Sequence, residues 1–108
     1  MNAPTEAQCQ STIVQAARTL GYLVHHTRPA YRQSGRISTP IQGDAGFPDL
    51  VIAGHGRVWF VELKRKGNKP TDKQAAWLKA LHGLVVTVPE QQQIFIDYLT
   101  QIAQRKAS

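Results

Sequence analysis

Gly46-Phe47-Pro48-Asp49-Leu50-Val51-Ile52-Ala53-Gly54-His55-Gly56-Arg57-Val58-Trp59-Phe60-Val61-Glu62-Leu63-Lys64 is the stretch on which the fold turns. Two apolar, β-branched runs, 49–53 and 58–63, flank Gly54-His55-Gly56, and this pattern predicts a β-hairpin. Side chains alternate along a strand, so Val58, Phe60, Glu62 and Lys64 share one face while Trp59, Val61 and Leu63 share the other. If His55 and Gly56 form a two-residue turn, Asp49 falls directly opposite Glu62, with Cβ atoms about 5 Å apart. A three-residue turn that uses Gly54 or Gly56 shifts the pairing by one residue and moves Glu62 away from Asp49.

Upstream of the hairpin, Thr5 followed by Gln8 has the capping-box pattern, and Ile13, Ala17 and Leu20 recur at helical spacing until Gly21, which predicts a helix over 5–20. Residues 22–26 read as a short strand. Residues 27–47, punctuated by Pro29, Gly35, Ser38, Pro40, Gly43 and Gly46, read as one long loop, and loops above about 12–15 residues in compact domains usually carry function or are disordered. Downstream, Thr71 and Gln74 repeat the capping box, and Ala75, Trp77, Leu78 and Leu81 form the stripe of a second helix that stops at Gly83. Leu84 to Val88 reads as a strand closed by Pro89, and Ile94, Phe95, Tyr98, Leu99 and Ile102 mark a C-terminal amphipathic helix. The order is αβββαβα, an α/β class with helices on both faces of a mixed sheet.

At 108 residues the chain suits one core, so residues 1–108 are expected to form a single domain. The single Cys9 excludes an internal disulfide, and no CxxC or Cys/His cluster offers a zinc site, a pattern that suits a reducing cytosol. No stretch approaches the roughly 20 apolar residues of a membrane span, and the N-terminus lacks the apolar core of a signal peptide, so a cytoplasmic protein without membrane association is expected. Thirteen Lys and Arg against seven Asp and Glu give a net charge of +6, which favours a polyanionic partner. The charge is clustered: Lys64, Arg65, Lys66, Lys69 and Lys73 lie together, as do Arg28, Arg32 and Arg36 in the long loop, suggesting two strips of phosphate contact.

Two carboxylates at the Asp49–Glu62 distance repel by about 3 kcal/mol at an effective dielectric of about 20. Either one holds a proton or a hard cation lies between them, and paired carboxylate oxygens with open water positions suit Mg²⁺ or Mn²⁺. Lys64, on the same face about 7 Å along the strand, could stabilise a phosphate oxyanion or orient an attacking water. Acid, acid, lysine, metal and a basic surface together describe phosphodiester hydrolysis. The plainer alternative makes Asp49 a turn residue and Glu62–Lys64 a solvated pair contributing under about 1 kcal/mol.

The segments 46–52, 58–64 and Lys69-Pro70-Thr71-Asp72-Lys73-Gln74-Ala75-Ala76-Trp77-Leu78 together resemble the VRR-NUC domain of the PD-(D/E)XK nuclease superfamily. The glycine before Pro48-Asp49, the step from Asp49 to Glu62 across a hairpin, and the helix beginning Thr71-x-x-Gln74 carry the likeness, and the element order extends it to most of the chain. The resemblance implies a restriction-endonuclease-like core in which Asp49 and Glu62 are metal ligands, the Leu63 main-chain carbonyl completes the site, and Lys64 is the catalytic lysine. It also implies an acid from the first helix, for which Glu6 is the only one available. Seven residues before Ile13, Glu6 falls on the stripe of Ile13, Ala17 and Leu20, although an acid in a first turn also simply complements the helix dipole. Gln74 matches the family glutamine and could touch Lys64 or substrate, with capping as the alternative.

His25 and His26 point to opposite faces of their strand, so at most one can serve the site. His55 reads as a turn residue, Asp44 as an ordinary loop acid, and Trp59 and Trp77 as core. What the resemblance implies is a Mg²⁺- or Mn²⁺-dependent DNA endonuclease selective for branched DNA such as Holliday junctions, a DNA-repair type of activity in the cytoplasm of a bacterium or phage-infected host. A homodimer is expected with it, because a symmetric four-way junction requires two related cuts; the loop 27–47 and the C-terminal helix are the candidate dimer surfaces. The rivals are a non-catalytic nucleic-acid-binding module on the same scaffold, a flap- or nick-directed nuclease, and a sequence-specific restriction-type nuclease, which the lack of a separate base-reading domain disfavours.

Overall fold

The computed structural model describes residues 3–26, 30–31, 37–38 and 43–105. In chain order these form helix α1 (Glu6–Thr19), strand β1 (Leu23–His26), the two-residue strands β2 (Ala30–Tyr31) and β3 (Ile37–Ser38), strands β4 (Leu50–Gly54) and β5 (Arg57–Arg65), helix α2 (Asp72–Leu81), strand β6 (Leu84–Val88) and helix α3 (Gln92–Gln104). The fold is α/β, as the sequence predicts. The main sheet runs β1-β4-β5-β6, antiparallel except for the β5–β6 pair, and is therefore mixed. The segment expected to be one unbroken loop contains the small antiparallel β2–β3 pair. Two-residue strands carry no periodicity by which a sequence could announce them.

The hairpin has the two-residue turn. His55 (φ 51°) and Gly56 (φ 78°) both occupy the left-handed region, as the mirror-image turn that matches strand twist requires, and Gly54 pairs with Arg57 across it. The register then follows residue by residue to Leu50 opposite Val61. Both expected capping boxes are present, Thr5 with Gln8 on α1 and Thr71 with Gln74 on α2.

Helices cover both faces, but unequally. On one face, Leu50, Ile52, Trp59, Val61, Leu63, Val86 and Val88 meet Cys9, Ile13, Val14 and Ala17 of α1 and Phe95, Leu99 and Ile102 of α3 in a continuous core. Of the apolar residues that mark α3, Phe95, Leu99 and Ile102 are buried while Ile94 and Tyr98 are exposed. Among the described residues the other face receives one helix, α2. None of its residues is buried: Trp77, Leu78 and Leu81 are half-buried and Ala75 is exposed, so the expected buried stripe is only a partial one. Part of that face stays open, with Leu23 79% and Val58 52% exposed in one row across β1, β4 and β5. No described helix is long and apolar enough to cross a membrane.

Candidate active site

The face that receives α2 carries the paired acids. One step beyond Leu50↔Val61, the ladder sets Asp49 opposite Glu62. In a two-residue hairpin the pair flanking the turn exchanges both main-chain hydrogen bonds and pairs alternate from there, so Asp49–Glu62 is a non-hydrogen-bonded pair, the kind whose side chains stand closest. The next pair along is Pro48 with Leu63. Proline has no N–H, so the ladder donor that the Leu63 carbonyl would receive from position 48 does not exist. The Leu63 N–H, aimed the same way, donates instead to Asp49 Oδ2 at 2.8 Å. Pro48 thus ends the ladder and turns the edge of β5 toward the Asp49 carboxylate.

Glu62 is 2% exposed, the sole buried charged side chain among the described residues. Its Oε2 lies 3.4 Å from Lys64 Nζ, while Oε1 is buried with no hydrogen-bond partner. Burial first and the Asp49 carboxylate second push its pKa up to about 7, against the pull of the Lys64 ammonium. An orphaned carboxylate oxygen, a second carboxylate across the ladder and a carbonyl without a ladder donor form an all-oxygen set that could hold a hard divalent cation. The chemistry of the donors fits Mg²⁺ or Mn²⁺.

A wall stands beside this pair. Gly46 (φ +100°) packs against the first turn of α2 so closely that a Cβ there would lie 2.7 Å from the Lys73 carbonyl carbon. The Trp77 indole N–H donates to the carbonyls of Ala45 at 3.1 Å and Asp44 at 3.3 Å. These contacts clamp the segment 44–46 onto α2 and deliver Pro48-Asp49 to the sheet. Trp77, expected in the core, acts as this clamp, a role that its helical spacing alone could not distinguish from burial.

Asp49, Glu62, Lys64 and the Leu63 backbone are brought together. Glu6 is not: it is exposed in the first turn of α1, the helix packed on the opposite face, and the charged groups acting on Glu62 are Asp49 and Lys64. Nor is any group of three or more His, Cys, Asp or Glu side chains gathered among the described residues. Gln74 caps α2, its Oε1 accepting from the Thr71 N–H. Arg65 leaves β5 on the face opposite Lys64 and donates to the Pro4 carbonyl at the start of α1, away from the other cations. Lys66, Lys69 and Lys73 are exposed on the segment between β5 and α2 or on the first turn of α2. Arg28, Arg32 and Arg36 lie outside the described residues. Of the histidine pair, His25 is exposed on the site's face and His26 turns to the other, where its Nδ1 is buried without a partner. Pro48, which ends the ladder, is the site-shaping residue that sequence reasoning passes over, although its missing N–H is there to be read.

No family model matches this chain, and neither the curated proteins nor the solved structures contain a match to it.

Proposed function

We propose that the chain is a Mg²⁺- or Mn²⁺-dependent DNA endonuclease of the VRR-NUC type that hydrolyses phosphodiester bonds in branched DNA. The observation that carries this reading is the Asp49–Glu62 pair on the α2 face of the sheet, with Lys64 Nζ 3.4 Å from a glutamate whose other oxygen has no partner. A fold built for stability alone does not bury one carboxylate against another. When bound, a divalent ion supplies a water of lowered pKa and offsets phosphate charge. The chain's own residues prepare the site: the Leu63 N–H orients Asp49, burial keeps Glu62 dry, and the Lys64 ammonium is placed to stabilise charge developing on the phosphoryl oxygens. Lys66, Lys69 and Lys73 are exposed near the same end of the sheet and supply backbone affinity.

Cutting a symmetric junction requires two such sites, which a two-fold homodimer provides, and exposed Ile94 and Tyr98 on α3 offer apolar surface for it. Light scattering is expected to return twice the chain mass; a monomeric mass together with cutting restricted to flaps or nicks would leave a nuclease that is not a junction resolvase.

The direct test incubates labelled linear, flap and four-way DNA with Mg²⁺, Mn²⁺ or EDTA. Cleavage is expected with either metal and none in EDTA. Asp49→Ala, Glu62→Ala and Lys64→Ala are each expected to abolish cutting while DNA affinity stays within a few-fold of wild type. Binding without cutting under every metal condition would favour the non-catalytic module.

A further inference from the structure

Phe47 stands two residues before Asp49 and, unlike the neighbouring Pro48, is not buried: it is 42% exposed. Its ring meets Phe60 edge-to-face with centroids 6.1 Å apart and Trp77 with centroids 5.1 Å apart. Phe60 shares the face of Glu62, so the Phe47 ring lies on the site's face beside the acid pair. The ring is held on every side of its own backbone. Gly46 before it is wedged against α2, Pro48 after it is buried, and the Trp77 that it touches is itself bonded to Asp44 and Ala45.

This large aromatic ring packs between α2 and the sheet in a constrained position, yet part of it remains open to solvent. On the face of the carboxylate pair, in a chain that exposes Lys66, Lys69 and Lys73 between β5 and the first turn of α2, it supplies one part of a single-strand site, an aromatic platform that is indifferent to base identity, while the lysines supply the other, cations for the backbone. In continuous duplex every base face is already stacked. Only an unpaired nucleotide can offer a face to Phe47.

We propose that Phe47 stacks on an unpaired nucleobase next to the scissile phosphate, so that the site selects phosphodiesters at flaps, gaps and branch points over continuous duplex. The proposal rests on the nucleic-acid reading above and assigns the structural preference to one residue.

The test uses the full chain in EDTA, so that nothing is cut, with flap and gapped DNA carrying 2-aminopurine at the unpaired position, and continuous duplex of the same sequence as control. Wild type is expected to quench the 2-aminopurine emission. Phe47→Leu, which keeps an apolar contact to Phe60 and Trp77 without a π-face, is expected to lose the quench and about ten-fold in affinity for flap and gapped DNA, with duplex affinity unchanged. Phe47→Met repeats the comparison with a side chain that adapts to irregular gaps, in case the leucine variant does not fold. An unchanged quench, or an equal loss on duplex and flap, overturns the proposal. The two readings separate in the cutting assay with metal. If wild type cuts nothing but quenches through Phe47, the nuclease reading fails and stacking stands. If wild type cuts and the Phe47 variants keep its flap-to-duplex ratio, stacking fails and the nuclease stands.

Discussion

Glu62 occupies a position where a branched apolar residue would cost nothing, and its environment is tolerable only for a protonated acid or for a carboxylate beside a cation. Its pKa is raised from 4.5 to about 7, so between those values the folded chain binds a proton that the unfolded chain has released. Stability from this group is therefore complete below about pH 4.5 and declines as pH rises through 7, by about 3 kcal/mol at most. In EDTA, Glu62→Gln is expected to match wild type in urea midpoint at pH 4 and to exceed it at pH 8. A variant that tracks wild type at both values would mean that Glu62 is hydrated and easily ionised. Adding Mg²⁺ at pH 8 is expected to raise the wild-type midpoint and leave that of Glu62→Gln unmoved, because an ion bound only by the folded chain stabilises it by mass action. The Asp49–Glu62 pairing is legible in the sequence because it depends on one turn and one parity. The orphaned Oε1 is not, since it depends on what else reaches the cleft.

At the scale of elements, the connection between α2 and the start of β4 decides whether the acids meet. Gly46 adopts a φ of +100° with no room for a Cβ against the Lys73 backbone, so Gly46→Ala combines left-handed strain with a backbone clash. Each costs on the order of 1–3 kcal/mol. The variant is expected to have a lower urea midpoint and, because Asp49 follows within three residues, slower cutting than its stability loss alone explains; full activity would show that the site tolerates movement of this wall. Helix boundaries were readable because Thr5/Gln8 and Thr71/Gln74 are local hydrogen-bonding devices that act wherever the chain goes. The burial of α2 was not readable. Its apolar spacing is that of a core helix, yet it meets the sheet through Trp77 and Phe47 over a limited area, leaving Ala75 exposed. Helical spacing aligns Glu6 with Ile13, yet Glu6 is exposed while Ile13 is buried, because spacing along a helix does not say how far the sheet extends beneath its first turn.

The whole molecule separates its two sheet faces by task, one closed by α1 and α3 and the other carrying the acids, with exposed Leu23 and Val58 at its hairpin end. Charge follows that division more sharply than the sequence suggests, because adjacent residues of a strand point to opposite faces. Lys64 and Arg65 are neighbours in the chain, yet Lys64 reaches Glu62 while Arg65 is tied to the Pro4 carbonyl behind the sheet. Salt dependence can resolve the two roles. Each phosphate contact contributes about 0.9 to the slope of log affinity against log salt on duplex DNA, so Lys66→Ala and Lys69→Ala are each expected to flatten the slope by about one. Arg65→Ala is expected to leave the slope unchanged while lowering the urea midpoint, since it removes an anchor of α1 and no contact with DNA. Titrating wild type and the three variants with a four-way junction between about 50 and 200 mM salt measures all of these slopes together. A flattened slope for Arg65→Ala with its stability intact would move the nucleic acid around the edge of β5 onto the helical side. If instead all three variants kept the wild-type slope, the phosphate track would lie away from the β5–α2 segment altogether.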